Sequence, residues 1–259
     1  MSTSDSVLRT ERNGHVLVAT MTRAPVNALD AALVDALDAA LDLACGDDDV
    51  TVLHIRSGLR VFSAGADLAL MHETIATAQG RDTMLGVVRR MQALNARLEA
   101  APLVTLAEIG GAALGGGFEL ALGCDLRIAA HEARLGLPEA GLGLLAAAGG
   151  TQRLARLVGP GLARRLVLGT ETVDGATAER LGLVQWALPR AELEAGARAL
   201  AERLAALPRH ALAAAKRCLS AALDPARDGF AEEIEHTKAL YAHPKTQSLV
   251  AAFLARASR

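Results

Sequence analysis

Gly110-Gly111-Ala112-Ala113-Leu114-Gly115-Gly116-Gly117-Phe118-Glu119 is the stretch on which the reading of this chain turns. It follows Leu103 to Ile109, a short apolar run bounded by Pro102 and reading as a buried strand. It runs into a short helix near Phe118, which Gly116 is expected to open. Residues without side chains let backbone N–H groups approach a partner closely. A helix start adds outward-pointing N–H groups and the positive end of the helix dipole. Glu119 falls in the first helical turn, where an anion is favoured.

Outward from this corner, strand and helix patterns alternate. Ser6 to Met21 reads as two short strands around Asn13-Gly14, a hairpin signal. Asp30 to Cys45 has Leu33, Leu37, Leu41 and Ala44 at helical spacing, with Asp30 as N-cap and Gly46 as stop. Val50 to Ile55 is a β-branched strand. Asp82 to Glu99 is a second amphipathic helix, with Met84, Val88, Met91, Leu94 and Leu98 on one face. Leu126 to Ala130 is a strand, and Thr151 to Val158 a helix ended by Gly159-Pro160. From Gly161 the text is almost entirely helical, broken at Pro189, Pro208, Pro225 and Pro244. This is an α/β core followed by helices.

The bulk composition excludes several classes. A formal net charge of −2 and the lack of a basic stripe argue against a nucleic-acid or anionic-membrane surface. Three widely spaced cysteines, Cys45, Cys124 and Cys218, point to a reducing compartment rather than a disulfide framework. The start MSTSDSVLRT has no apolar signal region, and the longest apolar stretch, Ala101 to Cys124, is interrupted by Glu108, Glu119 and glycines. A cytoplasmic location is expected, with no membrane partner.

Some motifs mislead. Gly141-Leu142-Gly143-Leu144-Leu145-Ala146 fits G-x-G-x-x-A, but Pro138 breaks the segment before it and no acid stands about 20 residues on. His72-Glu73 begins like a zinc helix, yet position 76 is Ala, so no metal site is expected. Ser63 lacks the first glycine of a nucleophile elbow.

Three segments combine small residues with carboxylates: Phe62-Ser63-Ala64-Gly65-Ala66-Asp67-Leu68, the opening decapeptide, and Leu135-Gly136-Leu137-Pro138-Glu139 running on to Gly149-Gly150-Thr151-Gln152. Taken singly, each has a plain reading as turns and a surface acid. In this order, joined by Ala24-Pro25-Val26-Asn27-Ala28-Leu29 upstream and Ala178-Glu179-Arg180-Leu181-Gly182-Leu183-Val184 downstream, they resemble the crotonase (enoyl-CoA hydratase/isomerase) family over nearly the whole chain.

That resemblance implies a spiral of ββα turns over residues 1–186 and a helical trimerisation region over 187–259. It implies an acyl-CoA thioester as substrate, with coenzyme A part of that substrate and no separate cofactor. The oxyanion hole would be the N–H groups of Ala66 and Gly116. Glu119 would activate water, and Glu139, among apolar neighbours that raise a carboxyl pKa, would protonate the α-carbon. Ala64, Gly65, Asp67 and Leu68 would contact coenzyme A, and Met71 to Arg81 would line or cover the acyl pocket. Arg23 is either a partner for a phosphate or a solvated arginine.

Relatives keep both acids for hydration, whereas isomerase relatives commonly keep only the later one. Hydration is therefore the expected reaction. A Δ3,Δ2-enoyl-CoA isomerase and a non-catalytic acyl-CoA-binding homologue are the alternatives. One departure stands out: Leu145-Ala146-Ala147 replaces the usual Ile-Pro-Gly, so Ala147 brings an extra methyl beside the reacting carbons. The resemblance also implies a homotrimer or a dimer of trimers.

Overall fold

The computed structural model describes residues 6–257. Strands β1 (Leu8–Asn13) and β2 (Val16–Met21) form the expected hairpin, with a left-handed Gly14 in the turn. From β2 the sheet continues in parallel through β3 (Val52–Ser57), β4 (Val104–Ile109), β6 (Leu126–Ala130) and β9 (Trp186–Leu188). All six residues of β4 are buried, as parallel strands covered on both faces require. A smaller sheet holds β5 (Ala113–Leu114), β7 (Arg134–Gly136) and β8 (Val173–Asp174). The chain runs from the large sheet to the small one and then into a helix: β4, β5, then α4 (Gly116–Gly123); β6, β7, then α5 (Gly150–Leu168). The glycine corner thus lies where the two sheets and a helix start meet.

The remaining helices are α1 (Ala31–Gly46), α2 (Leu68–Thr74), α3 (Ala78–Ala100), α6 (Gly175–Arg180), α7 (Arg190–Ala205), α8 (Arg209–Ala221), α9 (Gly229–Ala242) and α10 (Pro244–Ala257). Helix α1 is capped as expected, the Asp30 carboxylate accepting from Leu33 N–H at 2.9 Å. Helix α3 begins earlier than the apolar spacing indicates. Thr77 caps it, accepting from Gly80 N–H at 3.0 Å, and its first turn is polar and exposed. At Gly159-Pro160 the helix kinks instead of ending. Gly159 adopts φ 79°, and Pro160 starts the next helical stretch, where its missing N–H costs nothing. Strands β5, β7 and β8 are two or three residues long, too short to show an alternation.

Helix α7 packs on the large sheet and contributes Leu193, Ala197, Leu200, Ala201 and Ala205 to the core. Helix α8 is pinned through backbone carbonyls. Lys216 Nζ donates to Leu98 O at 2.8 Å, Leu103 O at 3.1 Å and Asp125 Oδ2 at 2.7 Å. Arg209 donates to Cys45 O, Pro102 O and Asp47 O. Two cations thus satisfy carbonyls in the last turns of α1 and α3. Helices α9 and α10 bury none of their side chains and expose Phe230, Ile234, Tyr241, Phe253 and Leu254. Among the described residues no helix is long and apolar enough to cross a membrane.

Lys216→Met leaves two carbonyls without this donor and the half-buried Asp125 carboxylate without its cation, with only Thr105 N–H and Oγ1 still donating to it. It is expected to cost about 2 kcal/mol, below the value for a fully buried pair because both partners keep some exposure. Urea unfolding of the variant beside the parent checks this.

Candidate active site

The loop at 62–67 is built by the segment before α1. Asn27, buried and at φ 49°, donates from Nδ2 to Phe62 O at 2.9 Å. Ala64 N–H donates to Val26 O at 3.0 Å, and Ser63 Oγ donates to Asn27 O at 2.8 Å while accepting from Gly65 N–H at 3.1 Å. Ser63 is therefore a buried structural hydroxyl. Gly65 O accepts from Leu29 N–H at 2.8 Å. A trans peptide points its N–H opposite its C=O, so the Ala66 N–H faces away from Leu29.

The start of α4 repeats this logic. Gly115, at φ 53°, accepts on its carbonyl from Phe118 N–H at 2.8 Å and Glu119 N–H at 3.0 Å. The opposite edge of that peptide is the Gly116 N–H, directed out of the helix start. The two loops are in van der Waals contact. A Cβ added to Gly65, itself at φ 91°, would lie 2.8 Å from Leu114 O and 3.1 Å from Gly116 N. Only glycine allows this approach.

Both acids reach the same corner. Glu139 opens a 3-10 turn, Glu139–Leu142, and its Oε1 would stand 2.9 Å from a Cβ at Gly115. Its Oε2 is buried without a hydrogen-bond partner. Glu119 is 3 % exposed and accepts from Gly150 N–H, at the start of α5, at 2.7 Å. Burial pushes the Glu119 carboxyl up to about 7, against the Gly150 hydrogen bond and with help from the Glu139 charge. Burial also raises Glu139, and there its own backbone hydrogen bond opposes the rise. The first-turn position of Glu119 suggested a readily ionised acid. Desolvation outweighs the helix dipole, and the deeper carboxyl is the one shifted strongly.

The other candidate residues fall into two groups. Ala64 and Leu68 are exposed on the loop and the first turn of α2. Asp67 is engaged structurally: its Oδ1 caps α2 by accepting from Leu70 N–H at 3.0 Å, and its Oδ2 accepts from Arg23 at 3.0 Å. These bonds hold its carboxyl below the usual range, the Leu70 N–H most of all. Arg23 also pairs with Asp30 at 2.9 Å, so it is a clamp between loops rather than a solvated side chain. Ala147 is half-buried, and its carbonyl accepts from Gln92 at 2.6 Å.

Sequence reasoning missed Gly150, Gln92, Asn95 and Arg153. The first had a signal: a Cβ at Gly150 would meet Glu119 Cγ at 2.8 Å, so the second glycine of Gly149-Gly150 is demanded by the acid. The others are polar residues on long helices, and nothing in their spacing marks them. Among the described residues no cluster of His, Cys, Asp and Glu could hold a metal ion. An open cavity of about 660 Å³ lies elsewhere, between the end of α3 and helices α8 and α9. Neither glutamate lines it, so the site rests on its chemical groups and not on concavity.

A family model described as enoyl-CoA hydratase/isomerase matches residues 11–257. The chain belongs to this family. It is 39 % identical over 251 residues to the 2,3-dehydroadipyl-CoA hydratase of Escherichia coli K12, covering 96 % of each protein. It is 37 % identical over 196 residues to the short-chain-enoyl-CoA hydratase of Clostridium acetobutylicum, covering 75 % of this chain and 73 % of that one. Among solved structures, Pseudomonas aeruginosa DspI superposes with a TM-score of 0.90 at 35 % identity, with 98 % of this chain and 97 % of that one covered. An enoyl-CoA hydratase from Geobacillus kaustophilus HTA426 gives 0.91 at 29 % identity, covering 98 % and 96 %. The α/β architecture with its C-terminal helices is the crotonase fold of these enoyl-CoA hydratase/isomerase family members.

Proposed function

We propose that this family member is a hydro-lyase that adds water across the double bond of a 2-enoyl-CoA thioester, giving a 3-hydroxyacyl-CoA. The observation that carries this reading is the meeting of two carboxyls raised by burial, the Glu139 charge adding to the rise at Glu119, with two glycine-built peptide edges at one corner. Glu119 withdraws a proton from water as its oxygen bonds to the β-carbon. The alkene electron pair moves toward the thioester, placing negative charge on the carbonyl oxygen. The Ala66 and Gly116 N–H groups stabilise that charge, each such donor being worth ~3–4 kcal/mol. The pair returns to the α-carbon, which takes a proton from Glu139. The thioester is the electron sink, so the step draws on no further cofactor.

Two acids are what favour hydration over Δ3,Δ2-isomerisation, which needs a single proton shuttle. Crotonyl-CoA consumption, followed beside that of a 3-enoyl-CoA, tests this: faster turnover of the 3-enoyl thioester overturns it, and binding without any turnover would mean that only the fold is retained. The base must be ionised, so kcat/KM for hydration is expected to rise with pH through about 7. A profile flat across neutral pH removes Glu119 from that role.

The reading extends to assembly as a homotrimer or a dimer of trimers. The apolar side chains exposed on α9 and α10, Phe230 at 84 % among them, support it. Analytical ultracentrifugation showing a stable monomer refutes it.

A further inference from the structure

The loop 145–149 enters α5; Ala146 and Ala148 are buried in the core, yet none of its side chains can make a hydrogen bond. Leu145 is exposed, and Ala146, Ala147 and Ala148 offer only methyl groups. Its carbonyls are held instead from α3. Gln92 Nε2 donates to Ala147 O at 2.6 Å, and the buried Asn95 donates to Ala148 O at 3.1 Å. Arg153 also donates to Ala148 O, at 3.2 Å.

The Ala147 C=O and the Ala148 N–H are two edges of one planar peptide. Gln92 holds the first edge. Two residues on, Gly150 N–H donates to the Glu119 carboxyl at 2.7 Å. We propose that Gln92 is a positioning residue: its amide anchors the 147–148 peptide and so fixes the loop that delivers the Gly150 N–H to the Glu119 carboxyl. This rests on the assignment of Glu119 as the base, but the orientation itself is independent of any substrate.

A carboxylate that loses an aimed donor is harder to ionise. The charges facing Glu119 are Glu139, from the 3-10 turn, and Arg153, from α5; Arg153 is paired to Glu99 of α3 at 2.6 Å. Gln92 is neutral and exposed, so replacing it changes no charge and opens no core cavity.

The test is Gln92→Met, which keeps the length and removes the donor, beside Gln92→Lys, which restores a donor. Glu119 is titrated by carbon NMR of carboxyl-labelled protein, with Glu119→Gln assigning the signal. High salt screens the lysine charge. The methionine variant is expected to titrate about half a unit or more higher than the parent. The lysine variant is expected to return toward the parent value. The acid limb of kcat/KM should move with the methionine titration. An unchanged titration in the methionine variant, or no recovery with lysine, overturns the proposal. If the parent hydrates no enoyl thioester but the NMR shifts follow this pattern, the functional reading fails and the positioning role stands.

Discussion

Glu119→Gln is expected to slow 2-enoyl-CoA hydration by about 10²–10⁴-fold and, at the same time, to stabilise the fold above neutral pH. The two effects share one cause. The carboxyl is buried beside Glu139, and its pKa rises from the ordinary 4.5 to about 7. An acid whose folded pKa is raised favours the folded state fully below its unfolded pKa, and that contribution is lost as pH climbs through the folded value. Above pH 7 the native protein therefore carries a buried, repelled anion. A glutamine of the same shape removes that charge and can still accept from Gly150 N–H. Urea unfolding above pH 7 and near pH 4.5, beside steady-state kinetics, checks both halves. The stability gain should be present at the higher pH and vanish at the lower. Retained activity removes Glu119 from the chemistry, and no gain at high pH contradicts its desolvation.

Gly65→Ala is expected to lower kcat by about 10²–10³-fold, the loss typical of removing one oxyanion donor. Its methyl has nowhere to go. The new Cβ would stand 2.8 Å from Leu114 O, and φ at 91° strains any L side chain. Relief requires the 62–67 loop to back away from the start of α4, which separates Ala66 from Gly116. The hydrogen bonds that join the loop to Val26, Asn27 and Leu29 anchor the rest of it, so the variant should fold with a moderate loss of stability. A much larger fall in kcat than change in KM for crotonyl-CoA is the expected signature, because the donors act most strongly on the transition state. Parent-like kinetics would mean that the Ala66 N–H is not a catalytic donor.

The fold was legible where patterns were long. Leu33, Leu37 and Leu41 announced α1, Leu103 to Ile109 announced β4, and the glycine run announced the start of α4. The small sheet was hidden because its strands are two or three residues long and are defined by pairing partners distant in sequence. At the site, residue types pointed to Glu119 and Glu139, but not to the balance of forces on them. A helix first turn favours an anion by a fraction of a kcal/mol to about 1 kcal/mol. The depth of Glu119 beneath Gly150 and Leu137, which decides its ionisation, depends on the packing of α5 over α4. Gln92 and Asn95 were invisible for a related reason. They act on carbonyls more than 50 positions away, and an amide on an amphipathic helix carries no mark of its partner.

The clamp made by Arg23 bears on how a polyanion would approach. One guanidinium serves two carboxylates, Asp30 and Asp67, so this edge of the loop keeps one uncompensated negative charge. In physiological salt such a charge is felt out to about 8 Å. On the proposed reading, this edge repels the diphosphate portion of a coenzyme A thioester, with the Arg23 charge already taken up by its two carboxylates.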